Sequence, residues 1–358
     1  MSGQRLKSLF KGNSARLVGI AGLLFLLSAF LILKYSQKPY SLPPISSMHP
    51  EIGNAEPSFN ESKFRHFQSG LRRADRFTFV SEDQGIASSL IDGGFVEINQ
   101  KGSLGRILEG DVKVICAWKT NDKPACLGIK GDQLILSAGG SREVLNVRDP
   151  IGMYSYSPES DSGFFFRNSN YELLEFALFP SKFVSVGENQ ISSMQGDSSG
   201  KMLAYSQISE GKNPHASMSC DVFLYDASSR STILLSTYTT DFFAQPCFSS
   251  SGKSILEYVH ALKGRQRPSP IRILDLTGQE IGRFIFSDIV LSIDYDERNE
   301  FLAIGGVKDV ILVKQVKSSP EVTTYTLGKR VVSLRINKTG NLVGGVSDDG
   351  EVFFISVL

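Results

Sequence analysis

Residues 247–278 read CFSSSGKSILEYVHALKGRQRPSPIRILDLTG. An apolar strand runs into a small polar turn ending at Gly252, then a second apolar strand (SILEYVHA), a loop, and a third strand (IRILD). The same order returns from residue 196 (GDSSGKMLAYSQIS, then CDVFLYDASS) and from residue 334 (LRINKTGNLVGGVSDDG, then EVFFIS). A degenerate copy starts at residue 293 (IDYDERNEFLAIGGVKD, then VILVKQV). The markers Gly200, Gly252, Asn299 and Gly340 are 52, 47 and 41 residues apart. A period of about 40–50 residues is that of one propeller blade.

The physics of the segments agrees with that period. Apolar or alternating runs of this kind suit a sheet packed on both faces. Gly after Ser or Thr supplies the positive φ of a tight hairpin. One small sheet cannot bury both faces, but sheets stacked in a ring can. Weaker copies precede the clear ones at 77–110, 111–147 and 149–187. The expected fold class is therefore all-β, a seven-bladed β-propeller over 63–358, with six or eight blades also compatible, preceded by one transmembrane helix. The last copy stops after three strands, so residues 63–69 (KFRHFQS) are expected to return and supply its fourth.

The segments at 247–280 and 196–230 resemble the TolB and WD40-like propeller repeat, roughly F-S-P-D-G-K-x-I-x-F…I-Y-x-x-D-x-x-G. Ser250-Ser251 and Ser198-Ser199 stand where that repeat has Pro-Asp, and the Trp-Asp dipeptide of WD40 repeats is absent. The resemblance implies the fold and carries over no active site, because propellers host many functions.

Ahead of the repeats the chain changes character. Residues 1–38 carry six bases and no acid, leaving 32 bases against 37 acids in the rest. A mildly acidic body argues against nucleic acid as a partner. Residues 17–33 read LVGIAGLLFLLSAFLIL without a charge, enough for most of a hydrocarbon core with Arg16 and Lys34 snorkelling outward. Leu17, Leu24, Phe25 and Leu33 are its apolar anchor positions. The run ends in bulky residues rather than the small ones a signal peptidase needs, so the segment is read as retained. Four bases before the span and two after it set the head inside and the body outside. The organisation expected is a basic cytoplasmic head (1–16), a signal-anchor helix (17–34), a Pro-rich linker (35–62) and the propeller. The exported compartment is a bacterial periplasm in first place and a eukaryotic secretory lumen in second.

Motifs for chemistry are few. Gly196-Asp197-Ser198-Ser199-Gly200 fits G-x-S-x-G, but a strand rather than a helix follows it, which makes it a hairpin turn. The four His, at 49, 66, 215 and 260, lack metal-ligand spacing, and His215 and His260 are read in loops. The acidic run 294–300 departs from the EF-hand pattern and reads as a solvated turn. Cys116 and Cys126, nearly opposite on neighbouring strands, and Cys220 and Cys247, opening strands of consecutive blades, are disulfide candidates, with four buried thiols as the equal alternative. Asn60-Glu61-Ser62 and Asn337-Lys338-Thr339 fit the glycosylation triplet.

No catalytic residue, metal or cofactor is assigned. The leading expectation is a scaffold or assembly factor that binds other proteins through the loops 210–219 and 262–270, with Lys212, His215, Arg265 and Arg267 as candidate contacts. The alternative is an enzyme, or a small-ligand or glycan binder, built on ionisable groups in the central funnel. The side chains that line the axis discriminate between the two.

Overall fold

The computed structural model describes residues 51–52, 63–108, 112–120, 123–138, 141–146, 151–160, 162–167, 171–177, 182–188, 190–209, 219–239, 242–261, 269–286, 288–316 and 320–357. The predicted head, anchor helix and most of the linker, with Leu17, Leu24, Phe25 and Leu33, lie outside them. Among the described residues no helix is long and apolar enough to cross a membrane.

The described strands form seven sheets, each built on consecutive antiparallel strands. Blade 1 is Arg76–Phe79, Gln84–Ser89, Gly94–Asn99 and Gly102–Leu108. Blade 2 is Lys113–Thr120, Lys123–Lys130, Gln133–Ala138 and Ser141–Asn146. Blade 3 is Ile151–Ser157, Ser162–Arg167, Glu172–Ala177 and Lys182–Glu188. Blade 4 is Ile191–Gly196, Met202–Ser209, Ser219–Asp226 and Ser231–Thr239. Blade 5 is Phe242–Phe248, Ser254–Ala261, Ser269–Asp275 and Glu280–Phe286. Blade 6 is Ser292–Asp296, Phe301–Gly305, Asp309–Lys314 and Glu321–Thr326. Blade 7 is Val331–Ile336, Leu342–Ser347 and Glu351–Ser356, completed by Phe64–Gln68. The closing strand runs antiparallel to the last one, Phe64 facing Ile355 and Gln68 facing Glu351. The expected seven blades and the expected closure are both present.

Apolar side chains on the two faces of each sheet serve two different cores. Phe77, Val96, Leu342 and Phe354 join blades 7 and 1. Ile86, Phe95, Val114 and Cys126 join 1 and 2. Equivalent cores lie between 2 and 3, 3 and 4, 4 and 5, 5 and 6, and 6 and 7. A core at every seam means that no blade is dry without both neighbours.

The hairpin reading of the repeat markers also holds. Gly200, Gly252 and Gly340 take φ of 68°, 71° and 75°, which only glycine adopts at little cost. Asp197 turns GDSSG into a closed loop by accepting the backbone N–H groups of Lys201 and Met202 at 3.0 and 2.9 Å, so this serine lies in a strand–turn–strand hairpin. Blade 6 departs from the pattern. Its left-handed residue is Glu300, φ 47°, and not the marker Asn299. Asp294 and Asp296, expected in a solvated turn, lie on the innermost strand and are 0% and 3% exposed.

Candidate functional site

In a meandering four-stranded blade, the first–second and third–fourth turns lie at one end. The second–third turns and the crossings to the next blade lie at the other. The two ends of this ring are chemically different. At the first, the turns tie blade to blade. Asn337 Nδ2 donates to the Glu82 carbonyl at 2.9 Å, and Thr339 Oγ1 donates to the Glu82 carboxylate at 2.7 Å, joining blades 7 and 1. Arg298 donates to the Lys338 carbonyl and Asn299 to that of Thr339, joining 6 and 7. Ser249 and Ser251 donate to Glu297, joining 5 and 6. Ser157 donates to the Ser198 carbonyl, joining 3 and 4. The glycosylation triplet at Asn337 is part of this belt, and its Asn is buried.

The second face presents apolar side chains instead. Ile91, in the blade 1 turn, is 64% exposed, and Tyr171, in the blade 3 turn, is 53% exposed. The Ile91 turn is held rigidly. Ser89 Oγ accepts the Ile91 and Asp92 N–H groups at 3.2 and 3.0 Å, Asp75 accepts Leu90 N–H at 2.8 Å, and Asp92 accepts Arg72 N–H at 2.6 Å. Such an arrangement offers an apolar contact with little entropy left to lose on binding. The strands flanking 210–218 and 262–268 end on this same face, in blades 4 and 5. Lys212, His215, Arg265 and Arg267 themselves lie outside the described residues. Ile91 and Tyr171 escaped the sequence reading because a single apolar residue in a turn has no periodicity to mark it.

The axis answers the funnel alternative in part. Arg76, on the innermost strand of blade 1, donates to the Ile115 carbonyl at 3.1 Å and the Tyr154 carbonyl at 3.4 Å, and lies 4.6 Å over the Tyr154 ring. A side chain that spans the inner strands of three successive blades sits beside the axis. Asp294 accepts the Ile336 N–H at 2.8 Å and the Ser250 hydroxyl, linking blades 5, 6 and 7. Burial raises its pKa above the ordinary aspartate value, against the pull of Arg335 and these hydrogen bonds. These ionisable groups bind protein atoms of neighbouring blades. Among the described residues there is no group of three or more His, Cys, Asp or Glu placed to hold a metal ion.

No disulfide joins the four cysteines. A bulge after Val114 places Cys116 opposite Leu127 and Ala117 opposite Cys126. Cys116 therefore packs in the core between blades 2 and 3, and Cys126 in the core between blades 1 and 2. A one-residue offset sends the two sulfurs to opposite faces of the sheet. The Cys220 sulfur accepts the Ala244 N–H from blade 5, whereas Cys247 turns the other way, towards blade 6. Burial pushes the Cys116 and Cys247 thiols up to about 12. They are inert thiols in the packed interior.

His260, expected in a loop, is in the second strand of blade 5, ring edge-on to Tyr258 with centroids 5.5 Å apart. Burial holds its pKa below the ordinary 6.5, so the imidazole is neutral at neutral pH. The unfolded chain then binds the extra proton first, and stability is present above the unfolded value and lost as pH falls through it. The melting temperature is expected to drop between about pH 7 and pH 5, with a visibly flatter slope in His260→Gln. Thermal melts across that range check this, and parallel slopes would contradict it.

No family model matches the sequence, and no curated protein matches it. Solved structures do. The β-propeller domain of Myceliophteria thermophila Cps50 (Swd1) superposes with a TM-score of 0.57 at 12% identity, covering 82% of this chain and 100% of that one. The WD40 repeats of RRP9 superpose with a TM-score of 0.60 at 8% identity, covering 82% and 97%. The chain has the fold of WD40 propellers. Identity this low shows the fold alone, and the TolB-like side of the resemblance rests on residues 196–230 and 247–280.

Proposed function

We propose that the protein is a membrane-anchored propeller that binds other proteins as a scaffold or assembly factor, held on the exported side by its N-terminal span. The observation that carries the binding role is the contrast between the two faces. On one, polar turn residues tie blades 3 to 4, 5 to 6, 6 to 7 and 7 to 1, while the other holds Ile91 and Tyr171 outward on the side where the strands flanking 210–218 and 262–268 end. A rigid ring with variable loops on one face is a common basis for partner binding. The charge-free run at 17–33 and the basic head support the anchor.

Two measurements test this reading. Crosslinking in native membranes is expected to capture a reproducible partner through a photoreactive residue at 91 or 171. With the photoreactive residue moved to the exposed position 72 beside the Ile91 turn, the capture should be lost in Ile91→Glu/Tyr171→Glu, whose melting temperature stays within a degree or two of the parent because both sites are exposed. Protease added to sealed vesicles of cytoplasmic-side-in orientation should digest the propeller. Protection of the propeller would reverse the topology, and unaltered crosslinking in the double variant would reject the face.

A further inference from the structure

The outermost strand of blade 5, Glu280–Phe286, differs from the rim strands of blades 2 and 6. Rim strands are usually kept polar or charged because an open row of N–H and C=O groups recruits other chains. The rim strand of blade 2, SREVLN, is almost wholly exposed, and that of blade 6, EVTTYT, is rich in Thr. In blade 5 the rim strand ends in Phe284-Ile285-Phe286, each 2% exposed. The edge is also occupied. Residues Glu51–Ile52 of the linker lie along it as a fifth strand, with Glu51 facing Ile285 and Ile52 facing Phe286. This pairing is parallel, whereas every other strand pair described is antiparallel. It spans two residues, and parallel pairing is the weaker geometry.

We infer that this edge is a strand-accepting site for an extended peptide of a partner protein, and that Glu51–Ile52 is a weak internal occupant which such a peptide displaces. The partner segment is recognised through its main chain and runs parallel to Glu280–Phe286. It carries an acidic residue followed by a β-branched aliphatic one, the chemistry of the resident pair. The site is a backbone edge at the rim of blade 5, whereas Ile91 and Tyr171 are turn side chains of blades 1 and 3, so either can fail without the other.

The probe is a fluorescent peptide of residues 46–55, SSMHPEIGNA, offered to the full-length chain. Ile52→Pro removes a backbone donor from the internal strand and frees the edge, and Ile52→Gly loosens the same segment while keeping the amide. Both variants are expected to bind the probe about tenfold or more tightly than the parent, and bound probe should slow amide exchange within 280–286. Equal binding by parent and variants, absence of binding to the variants, or protection confined to another strand would overturn the inference. Because the substitutions lie in the linker, both variants should melt with the parent.

Discussion

Deleting residues 63–70 is expected to lower the melting temperature by about 10 °C or more, or to leave the chain insoluble. The closing strand covers the backbone edge of Glu351–Ser356, whose Val352, Phe353, Phe354 and Ile355 are at most 1% exposed. It also contributes to two cores at once. Phe64 packs into the core between blades 6 and 7, its ring 6.1 Å from Tyr325 and 6.4 Å from Phe353. Phe67 packs into the core between blades 7 and 1. Removing a core aromatic costs about 3–5 kcal/mol, with these half-buried rings at the low end. Two of them, with the ladder, approach the total stability of a typical domain, about 5–15 kcal/mol. The polar rim of the seam adds to the loss, since His66 contacts Glu351, which also pairs with Lys329. Thermal melts with limited proteolysis of the last blade check the prediction, and Phe64→Ala and Phe67→Ala should each give a part of the effect. An unchanged melt would mean that the ring holds without its clasp.

Arg272→Met should destabilise the fold by about 3–5 kcal/mol, the range for removing one partner of a buried ion pair. Glu257 is 0% exposed and sits in the second strand of blade 5. Arg272 in the third strand donates to it at 2.9 Å and to Glu280 in the rim strand at 2.7 Å. Blade 4 completes the site, with Ser236 and Tyr238 hydroxyls donating to Glu257 at 2.8 and 2.6 Å. Methionine keeps the apolar stem and leaves the carboxylate without its cation. The double change Glu257→Met/Arg272→Met should be less destabilised than the single one, because no buried charge remains. It retains a deficit of about 1–3 kcal/mol from the orphaned hydroxyls. Denaturant melts of parent, single and double variants measure both figures, and additive losses would refute the coupling.

The same network sets an acid dependence. Burial works to raise the pKa of Glu280, but hydrogen bonds and charge from Arg283 and Arg272 prevail and hold it below the ordinary 4.5. A depressed carboxylate adds stability that is present above the unfolded value and lost as pH falls through the folded one. Arg272→Met removes one of those two cations, so its stability should fall less steeply than the parent's as pH drops below 4.5.

The rhythm of the fold was legible in the chain because it is local. Strand, turn and strand are written in adjacent residues, and Gly200, Gly252 and Gly340 mark hairpins by conformational necessity. Even the closure could be anticipated, since a last copy with three strands has an edge to fill. The Asp294 site was missed for the opposite reason. In IDYD the alternation correctly places Ile293 and Tyr295 in one core, but an aspartate on the other face looks solvated until blades 5 and 7 bring Ser250 and the Ile336 N–H to it.

The sequence by itself determined the strand–turn–strand order and pointed to the seam, with seven blades favoured over six or eight, because hydrophobic period and turn chemistry act over a few neighbouring residues. Only the tertiary structure decided which cysteine faces which core, which charges are buried together, which face keeps apolar side chains in the open and which rim strand carries a fifth strand. Those are properties of distance between residues remote in the chain. A bulge that shifts Cys116 by one place, or a linker pair that reaches the edge of blade 5, leaves no periodic trace to read.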